Sequence, residues 1–333
     1  MKVLVTGSSG LIGSWLGDAL SKEGHEVVGV DLRPATIASE WPTHCHDILD
    51  LNAMTWLCGG CDAVYHCAAM AYEGLSVFSP RCITENVVVG TVTVATAALR
   101  CGVKTFINMS SMARYGNKRF PWPFAESDES RPVDPYGAAK LAAEKQLDIL
   151  GETHGMKVIH AVPHNVSGAR QNFQDPYRNV IAIMANRMLQ GKPAIIYGDG
   201  EQKRCFSDIR DVLPVLLKIL TCEVSVKHGE VFNVGPDSDP VTINAVERLV
   251  AECVGVDLPP IHVEARPREV RSAWCSSDKI RERFAFEQRY SLRDTVASVV
   301  EWVRSRVPKP FVYDVPLEIE SDLTPKTWRE RLI

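Results

Sequence analysis

No apolar run in this sequence approaches the roughly 20 residues needed to cross a bilayer, so a membrane-spanning helix is not expected. Charge of one sign is not in excess either. The 37 Lys and Arg stand against 41 Asp and Glu, a net charge of −4, which gives no reason to expect nucleic acid or an anionic membrane as partner. Metal-site spacing is missing as well. Of ten cysteines, only Cys58-Gly59-Gly60-Cys61 forms a CxxC, and no second CxxC or HxxxH follows it at zinc-site spacing. It reads as a glycine-containing turn with reduced thiols, and no metal is expected. Met1-Lys2-Val3-Leu4-Val5-Thr6-Gly7 enters a strand without the apolar stretch and cleavage site of a signal peptide, so a cytoplasmic location is expected. There is no internal repeat and no low-complexity segment. What remains is ordinary globular composition, 45% hydrophobic and 23% charged, over 333 residues, enough for one large domain or two smaller ones sharing a sheet.

The first half alternates β-branched runs of strand length (Lys2–Thr6, Glu26–Val30, Asp62–Cys67, Lys104–Met109, Lys157–Val162) with amphipathic stretches (Leu11–Lys22, Asn86–Cys101, Tyr136–Gly151). Such alternation predicts right-handed βαβ crossovers: an α/β fold with a Rossmann-type doubly wound parallel sheet. The second half is less regular. Helices are predicted at Val180–Gln190, Val212–Leu220 and Ile243–Val254, with a turn at Gly198-Asp199-Gly200. This half is expected to be a smaller α/β substrate-binding domain over the carboxyl edge of the sheet. The division predicted is 1–165 and 166–333, with the chain near 205–235 returning to pack on the first part. The Pro-rich tail from Val307 reads as a surface wrap without functional meaning.

Thr6-Gly7-Ser8-Ser9-Gly10-Leu11-Ile12-Gly13 joins the first strand to the first helix. Glycines here permit a tight turn, close backbone approach to a pyrophosphate and close helix–strand packing, and the helix N-terminus offers unpaired N–H donors. The next strand ends in Asp31, placed to accept both ribose hydroxyls and to repel a 2′-phosphate, which favours NAD over NADP. Arg33 reads as a solvated loop residue. Asp47-Ile48, at the end of the third strand, could hold the adenine. Tyr136-Gly137-Ala138-Ala139-Lys140 places Tyr and Lys on one helix face, where an ammonium lowers a phenol pKa that is otherwise about 10. Tyr136 then becomes a general base, with Lys140 its tuning partner and a hold on the nicotinamide ribose. Ser110-Ser111 closes the preceding strand, within reach of a substrate hydroxyl or carbonyl.

These residues make the chain resemble the extended short-chain dehydrogenase/reductases, and within them the nucleotide-sugar epimerase/dehydratase group typified by UDP-galactose 4-epimerase. The motifs run along nearly the whole chain: TGxxGxxG at Thr6–Gly13, His66-Cys67-Ala68-Ala69, Asn86 with Gly90-Thr91, Ser110-Ser111 with Tyr115-Gly116, Pro135 to Lys140, and Gly198-Asp199-Gly200-Glu201-Gln202-Lys203-Arg204. The resemblance implies bound NAD, held by Gly7, Ser9, Gly10, Leu11, Ile12, Gly13, Asp31, Leu32, Arg33, Asp47, Ile48, Cys67, Ala68, Ala69, Asn86, Met109 and Pro163 together with Tyr136 and Lys140. It implies Ser111, Tyr136 and Lys140 as the catalytic set. It also implies Ser110, Asn165, Arg204 and Arg266 as substrate residues, the last three meeting the diphosphate, which guanidinium forks suit chemically.

The resemblance also sorts the reaction. Dehydratases of the group carry Asp-Glu after the catalytic Thr, and UDP-glucuronate decarboxylases use a Glu there; Met112 and Ala113 can move no proton. GDP-fucose synthase-like enzymes place a Cys where Met112 stands. By elimination, a nucleotide-sugar 4-epimerase working through a transient 4-keto sugar is expected, on a UDP-hexose, UDP-N-acetylhexosamine or UDP-hexuronate. Ala273 matches a position where a tyrosine narrows the sugar pocket of glucose/galactose epimerases, so a small residue there could admit an N-acetyl group, unless Trp274 refills the space. Val162, Ser167-Gly168-Ala169, Cys205 and Arg268 depart from the group's pattern, all in or next to the substrate half. Arg268 beside Arg266 could favour a uronate or be merely solvated. Two alternatives stay open: a net reductase or dehydrogenase on a nucleotide sugar or other hydroxy/keto substrate, and a non-catalytic NAD-sensing protein. The apolar residues Val87, Val88, Val92, Leu141, Leu147 and Leu150 suggest a homodimer through a four-helix bundle, or simply packing on the chain's own sheet.

Overall fold

A computed structural model of the chain describes residues 1–34, 37–117, 123–221 and 225–333. In chain order the first half contains β1 (Lys2–Thr6), α1 (Leu11–Lys22), β2 (Glu26–Asp31), β3 (Thr43–Cys45), α2 (Leu51–Cys58) and β4 (Ala63–His66). There follow α3 (Pro80–Thr84), a π-helical turn (Glu85–Val89), α4 (Gly90–Arg100), β5 (Thr105–Met109), a 3-10 turn (Met112–Tyr115), α5 (Pro135–His154) and β6 (Lys157–Pro163). The second half contains β7 (Val166–Ser167), α6 (Val180–Leu189), β8 (Ile195–Tyr197), β9 (Lys203–Arg204), β10 (Ser207–Asp208), α7 (Ile209–Thr221), β11 (Glu230–Val234), β12 (Val241–Thr242) and α8 (Ile243–Val254). It ends with β13 (Ile261–Val263), β14 (Ser272–Ala273), α9 (Asp278–Phe284), α10 (Leu292–Ser305) and α11 (Lys326–Arg329).

The central sheet has seven strands in the order β11-β6-β5-β4-β1-β2-β3, each paired parallel to its neighbour. Side chains of a strand alternate between its faces, and two apolar layers result. Val3, Val5, Val27, Tyr65, Ile107, Ile159 and Phe232 meet α1, α7 and α9 on one face. Leu4, Val28, Val64, Phe106 and Val158 meet α2, α4 and α5 on the other. The strand order reverses beside β1, and there the carboxyl ends of β1 and β4 open a crevice. A separate apolar cluster joins α6, α8 and α10, with Ile181, Met184, Val246, Val250, Val296 and Val299 at its centre. β11, α7 and α9 come from the second half of the chain, yet they complete the first half's sheet and one of its helical layers.

Local chemistry explains most element ends. Asp134 accepts from the Gly137 amide and Pro135 occupies the first turn, so α5 starts there; Gly155, left-handed at φ 75, ends it. Ser291 and Asp294 form a reciprocal capping box on α10. Cys58-Gly59-Gly60-Cys61 is a turn at the end of α2, with Gly60 at φ 73 and the Cys61 amide on the Cys58 carbonyl at 3.0 Å. Burial pushes these thiols up, to about 12 for Cys58 and about 11 for Cys61.

Three expectations need correcting. The helix predicted over Asn86–Cys101 starts earlier, at Pro80, and turns through the π segment. Pro80 stands at a first-turn position, where a ring without an N–H is tolerated. The helical stretch Pro80–Arg100 has 21 residues, of which 18 consecutive ones reach a mean hydropathy of 1.5, so by length and composition it passes for a membrane span. In this fold it is a core helix, with Val94, Ala95, Ala97 and Ala98 packed under the sheet. Second, Asp47 and Ile48 follow β3, which ends at Cys45, instead of closing it. Third, Val87 and Leu147 face the chain's own interior, at 1% and 0% exposure, and so are not part of an outward apolar face; Val89 and Ile149 are the exposed apolar residues of those helices.

Phe232 is fully buried against Phe284, with ring centroids 5.0 Å apart. Phe232→Ala is expected to lower unfolding stability by about 3–5 kcal/mol, read from urea midpoints, because β11 is a structural strand of the main sheet.

Candidate active site

The crevice at the strand carboxyl ends widens into a cleft of about 1210 Å³ that runs from the glycine turn to the second half of the chain. At one end, Gly7 takes φ 68 and lies so close to Cys67 and Ala68 that a Cβ on it would sit 2.7 Å from the Ala68 nitrogen. A Cβ on Gly13 would sit 2.2 Å from the Gly7 carbonyl oxygen. The turn therefore needs glycine for its own closure. Gly10 caps α1 in extended conformation, leaving the first helical amides for an anion.

Asp31 is held in place by the Ser9 amide on Oδ2 and the Arg33 amide on Oδ1, both at 3.0 Å. Burial nevertheless raises its pKa, because desolvation outweighs those bonds. Arg33, expected to be solvated, pairs with Asp314 at 2.7 Å with both side chains half exposed. Leu32, Asp47 and Ile48 border the same end.

Further in, the Thr6 hydroxyl contacts His66 Nδ1 at 2.8 Å and accepts from the Ala68 amide at 3.2 Å, while His66 Nε2 reaches Thr91 at 3.0 Å. Burial pushes His66 down to about 3, so it is neutral and structural. Asn86 accepts from the Met70 amide at 2.7 Å, which spans the loop after β4. Cys67, Ala69, Met109 and Pro163 complete this wall. Cradle, carboxylate and helix end together fit a dinucleotide such as NAD.

Tyr136, Lys140, Ser110 and Ser111 line the middle of the cleft. Tyr136 is 5% exposed and Lys140 is 3% exposed. The Ser111 hydroxyl lies near enough to the Tyr136 phenol to favour its ionised form, and Lys140 Nζ donates to the Met109 carbonyl at 2.8 Å, 5.9 Å from the centre of the phenol ring. The expected lowering of the phenol is not what the polypeptide alone produces. Burial pushes Tyr136 up to about 12, opposed by the Arg178 guanidinium and the Ser111 hydroxyl. Burial likewise pushes Lys140 down to about 8, opposed by Glu144. The polypeptide thus holds a neutral phenol beside an ammonium that is close to titrating.

At the far end, Asn165 takes a left-handed φ of 44, which asparagine tolerates, and donates to the Cys205 carbonyl at 2.9 Å. Arg204, on β9, and Arg266 line the cleft together. Arg266 donates through Nε and Nη2 to the two Glu269 oxygens, at 3.1 and 2.8 Å, and lies over the Tyr197 ring at 4.8 Å. Arg268, at φ 61, is on the exposed rim. Ala273 is not on the wall. It pairs with Arg204 across β9 and β14 and packs with Met112, Tyr115, Phe124, Val162, Val270 and Cys275 in a small core behind the cleft. A larger residue there would repack that core first.

Sequence reasoning missed Arg178, Glu73, Asp175 and Tyr177, which all line the cleft, because they sit in irregular loops. It also misread the tail. Val312, Asp314, Val315, Trp328 and Ile333 form part of the cleft wall. Glu318 accepts from the amides of Arg81 and Cys82 at the start of α3, and Trp328, 2% exposed, packs on Phe78, Tyr177 and Tyr197. Its aromatic and acidic anchors were visible in the sequence; the surfaces they meet were not.

A sequence-family model described as the NAD dependent epimerase/dehydratase family matches residues 3–235. A UDP-glucose 4-epimerase of Mycolicibacterium smegmatis is 29% identical over 319 residues, covering 92% of this chain and 99% of the relative. The structure is similar to a Thermotoga maritima UDP-glucose 4-epimerase solved with UDP-glucose: TM-score 0.85, 29% identity, 92% of this chain and 99% of that one. It is also similar to a Bacillus cereus UDP-glucuronic acid 4-epimerase solved with UDP-glucuronic acid and NAD: TM-score 0.84, 25% identity, 92% and 100% covered.

A positive nicotinamide bound beside Tyr136 would lower the phenol pKa, and a ligand that lowers a pKa binds the deprotonated form more tightly. On protein stripped of cofactor, the Kd for NAD+ is therefore expected to fall as pH rises towards the Tyr136 value of about 12, by up to about tenfold per pH unit. Calorimetric titration of Tyr136→Phe should show only the shallower dependence contributed by Lys140 near pH 8.

Proposed function

The chain belongs to the NAD dependent epimerase/dehydratase family, and from that premise we propose that it is a nucleotide-sugar 4-epimerase. One observation carries the reading: Ser111, Tyr136 and Lys140 stand midway along a single cleft, between a dinucleotide cradle and Arg204 with Arg266. The cradle suits NAD and the arginines suit the diphosphate of a nucleotide sugar, so the sugar falls at the phenol. Residues 1–165 would supply the first site and 166–333 most of the second.

In this reading Ser111 orients the C4 hydroxyl. Tyr136 takes its proton as C4 gives up hydride, leaving a 4-keto sugar. The diphosphate stays on Asn165, Arg204 and Arg266 while the ketone turns over. Hydride then returns to the other face of C4 and Tyr136 returns the proton, which inverts that centre. NAD, when bound, supplies the hydride acceptor and a positive charge near the phenol. Lys140 holds the ribose and keeps a cation beside Tyr136.

The environment of positions 112 and 113 supports epimerisation over 4,6-dehydration. Met112 and Ala113 are buried in apolar clusters, at 9% and 5% exposure, and neither carries an ionisable group. The sugar is expected to be a UDP-hexose, UDP-N-acetylhexosamine or UDP-hexuronate, and the enzyme cytoplasmic. NMR of the purified protein incubated with nucleotide sugars, without added NAD, tests the reading. A C4 epimer is the expected product, and Tyr136→Phe is expected to slow its formation by at least about a hundredfold. Turnover only on addition of NAD(H) would instead establish a net oxidoreductase.

A homodimer through the outer face of α4 and α5 goes with this reading. Val89 and Ile149 are exposed at 51% and 64%, and Val92 and Leu141 are half-buried on the same two helical stretches, whereas Val88 and Leu150 pack inward. Sedimentation velocity is expected to give twice the chain mass, and Ile149→Glu to give the monomer.

A further inference from the structure

Lys140 and Glu144 stand one turn apart on the same face of α5, and both reach the carboxyl end of β5. Lys140 Nζ donates to the Met109 carbonyl, and the Ser110 hydroxyl donates to Glu144 Oε1. Arg114, from the 3-10 turn just after Ser111, closes on the other Glu144 oxygen, with Nη1 3.1 Å from Oε2. That N–H is not aligned as a hydrogen bond, so the contact is chiefly ionic. Arg114 is fixed further by its Nε, which donates to Ser130 at 3.1 Å, and its guanidinium lies 5.1 Å from the centre of the Tyr115 ring. The Arg114 and Glu144 side chains are 8% and 2% exposed.

Burying two charges is costly, and apolar side chains of similar volume would join turn to helix at least as well. Docking alone therefore does not account for the pair, whereas its neighbours do. The groups facing Lys140 are Tyr136 and Glu144 on its own helix, His66 and Cys67 at the end of β4, and Arg178 from the segment before α6. His66 is neutral, and burial pushes the Cys67 thiol to about 12, so neither carries charge near neutral pH. Arg178 opposes a charged Lys140. Among these groups Glu144 is the carboxylate that favours it.

We propose that Glu144 and Arg114 are positioning residues for the Ser111–Tyr136–Lys140 group. Glu144 keeps Lys140 charged and seated on Met109. Arg114 offsets part of the Glu144 charge and ties the Ser111 turn to the helix that carries Tyr136. The inference rests on the reading that Tyr136 and Lys140 move the sugar's proton, and it adds how the chain sets their charge.

The two residues are expected to act on Lys140 in opposite directions. Glu144→Gln removes the favourable charge, so Lys140 should titrate at lower pH, by about one unit or more. Arg114→Met leaves Glu144 less neutralised, so Lys140 should titrate at higher pH; Arg114→Gln, a polar uncharged replacement, should do the same and serves if the Met variant does not fold. The readout is side-chain NMR of isotope-labelled lysine in the NAD-loaded enzyme, with the Lys140 signal assigned by its loss in Lys140→Met. The alkaline limb of the pH–rate profile is expected to move with it, down for Glu144→Gln and up for Arg114→Gln. Arg114→Lys should restore the wild-type titration. If both variants only lower Tm, with Lys140 unmoved or moved in one common direction, the pair is structural and the proposal is overturned. The NMR titration needs no turnover, so a chain inactive on every nucleotide sugar would sink the epimerase reading and leave the titration result standing.

Discussion

A lysine ammonium at 3% exposure can stay in a protein interior only if something replaces its hydration. For Lys140 that replacement is the Met109 carbonyl at 2.8 Å and the field of Glu144 one turn along α5. Both contacts lie where β5 ends and the Ser110-Ser111 pair begins. The helix cannot slide or rotate on the sheet without stranding a buried charge. Satisfying Lys140 therefore also sets where Tyr136 meets Ser111, and the rest of the cleft is arranged around that point.

The two ends of the cleft work by different physics. At the dinucleotide end, the dominant constraint is space: Gly7 and Gly13 leave no room for a Cβ, and Gly7 lies hard against the backbone of Cys67 and Ala68. At the opposite end the constraint is charge. Arg204 and Arg266 would repel each other in a partly dry cleft, and Glu269, bound to Arg266 and within the field of Arg204, moderates that repulsion. Glu73 adds its charge to both. The middle contains a phenol that burial keeps protonated in the polypeptide alone. The Arg178 guanidinium opposes that burial without overcoming it, and in the epimerase reading the further positive charge of an occupied dinucleotide site would complete the shift.

The C-terminal tail joins these ends. Asp314 pairs with Arg33 on the cofactor side, Glu318 caps the start of α3, and Trp328 packs on Tyr177 and Tyr197 beside the arginines. A segment without regular structure over much of its length thus becomes a wall of the cleft through a few anchors. This fits the general rule that loops over a rigid sheet carry specificity.

By itself the sequence determined what depends on neighbours along the chain. Strand runs such as Lys2–Thr6 and Lys104–Met109, the glycine turn, and the Tyr136–Lys140 spacing were legible, because β-branched runs, glycine sterics and helical period act locally. The start of the helix at Pro80 was missed because a π turn at Glu85–Val89 breaks the period that a reading from Asn86 relies on. Tertiary structure alone decided what depends on distant partners. Ala273 went into a core behind the cleft because Met112, Phe124 and Cys275 converge on it from three segments. Arg33 met Asp314, 281 positions away, and Arg114 met Glu144. The direction of the Tyr136 pKa was decided there too: spacing shows that a lysine is near, but only packing shows how much water has been removed, and for a buried phenol the lost water outweighs the charge.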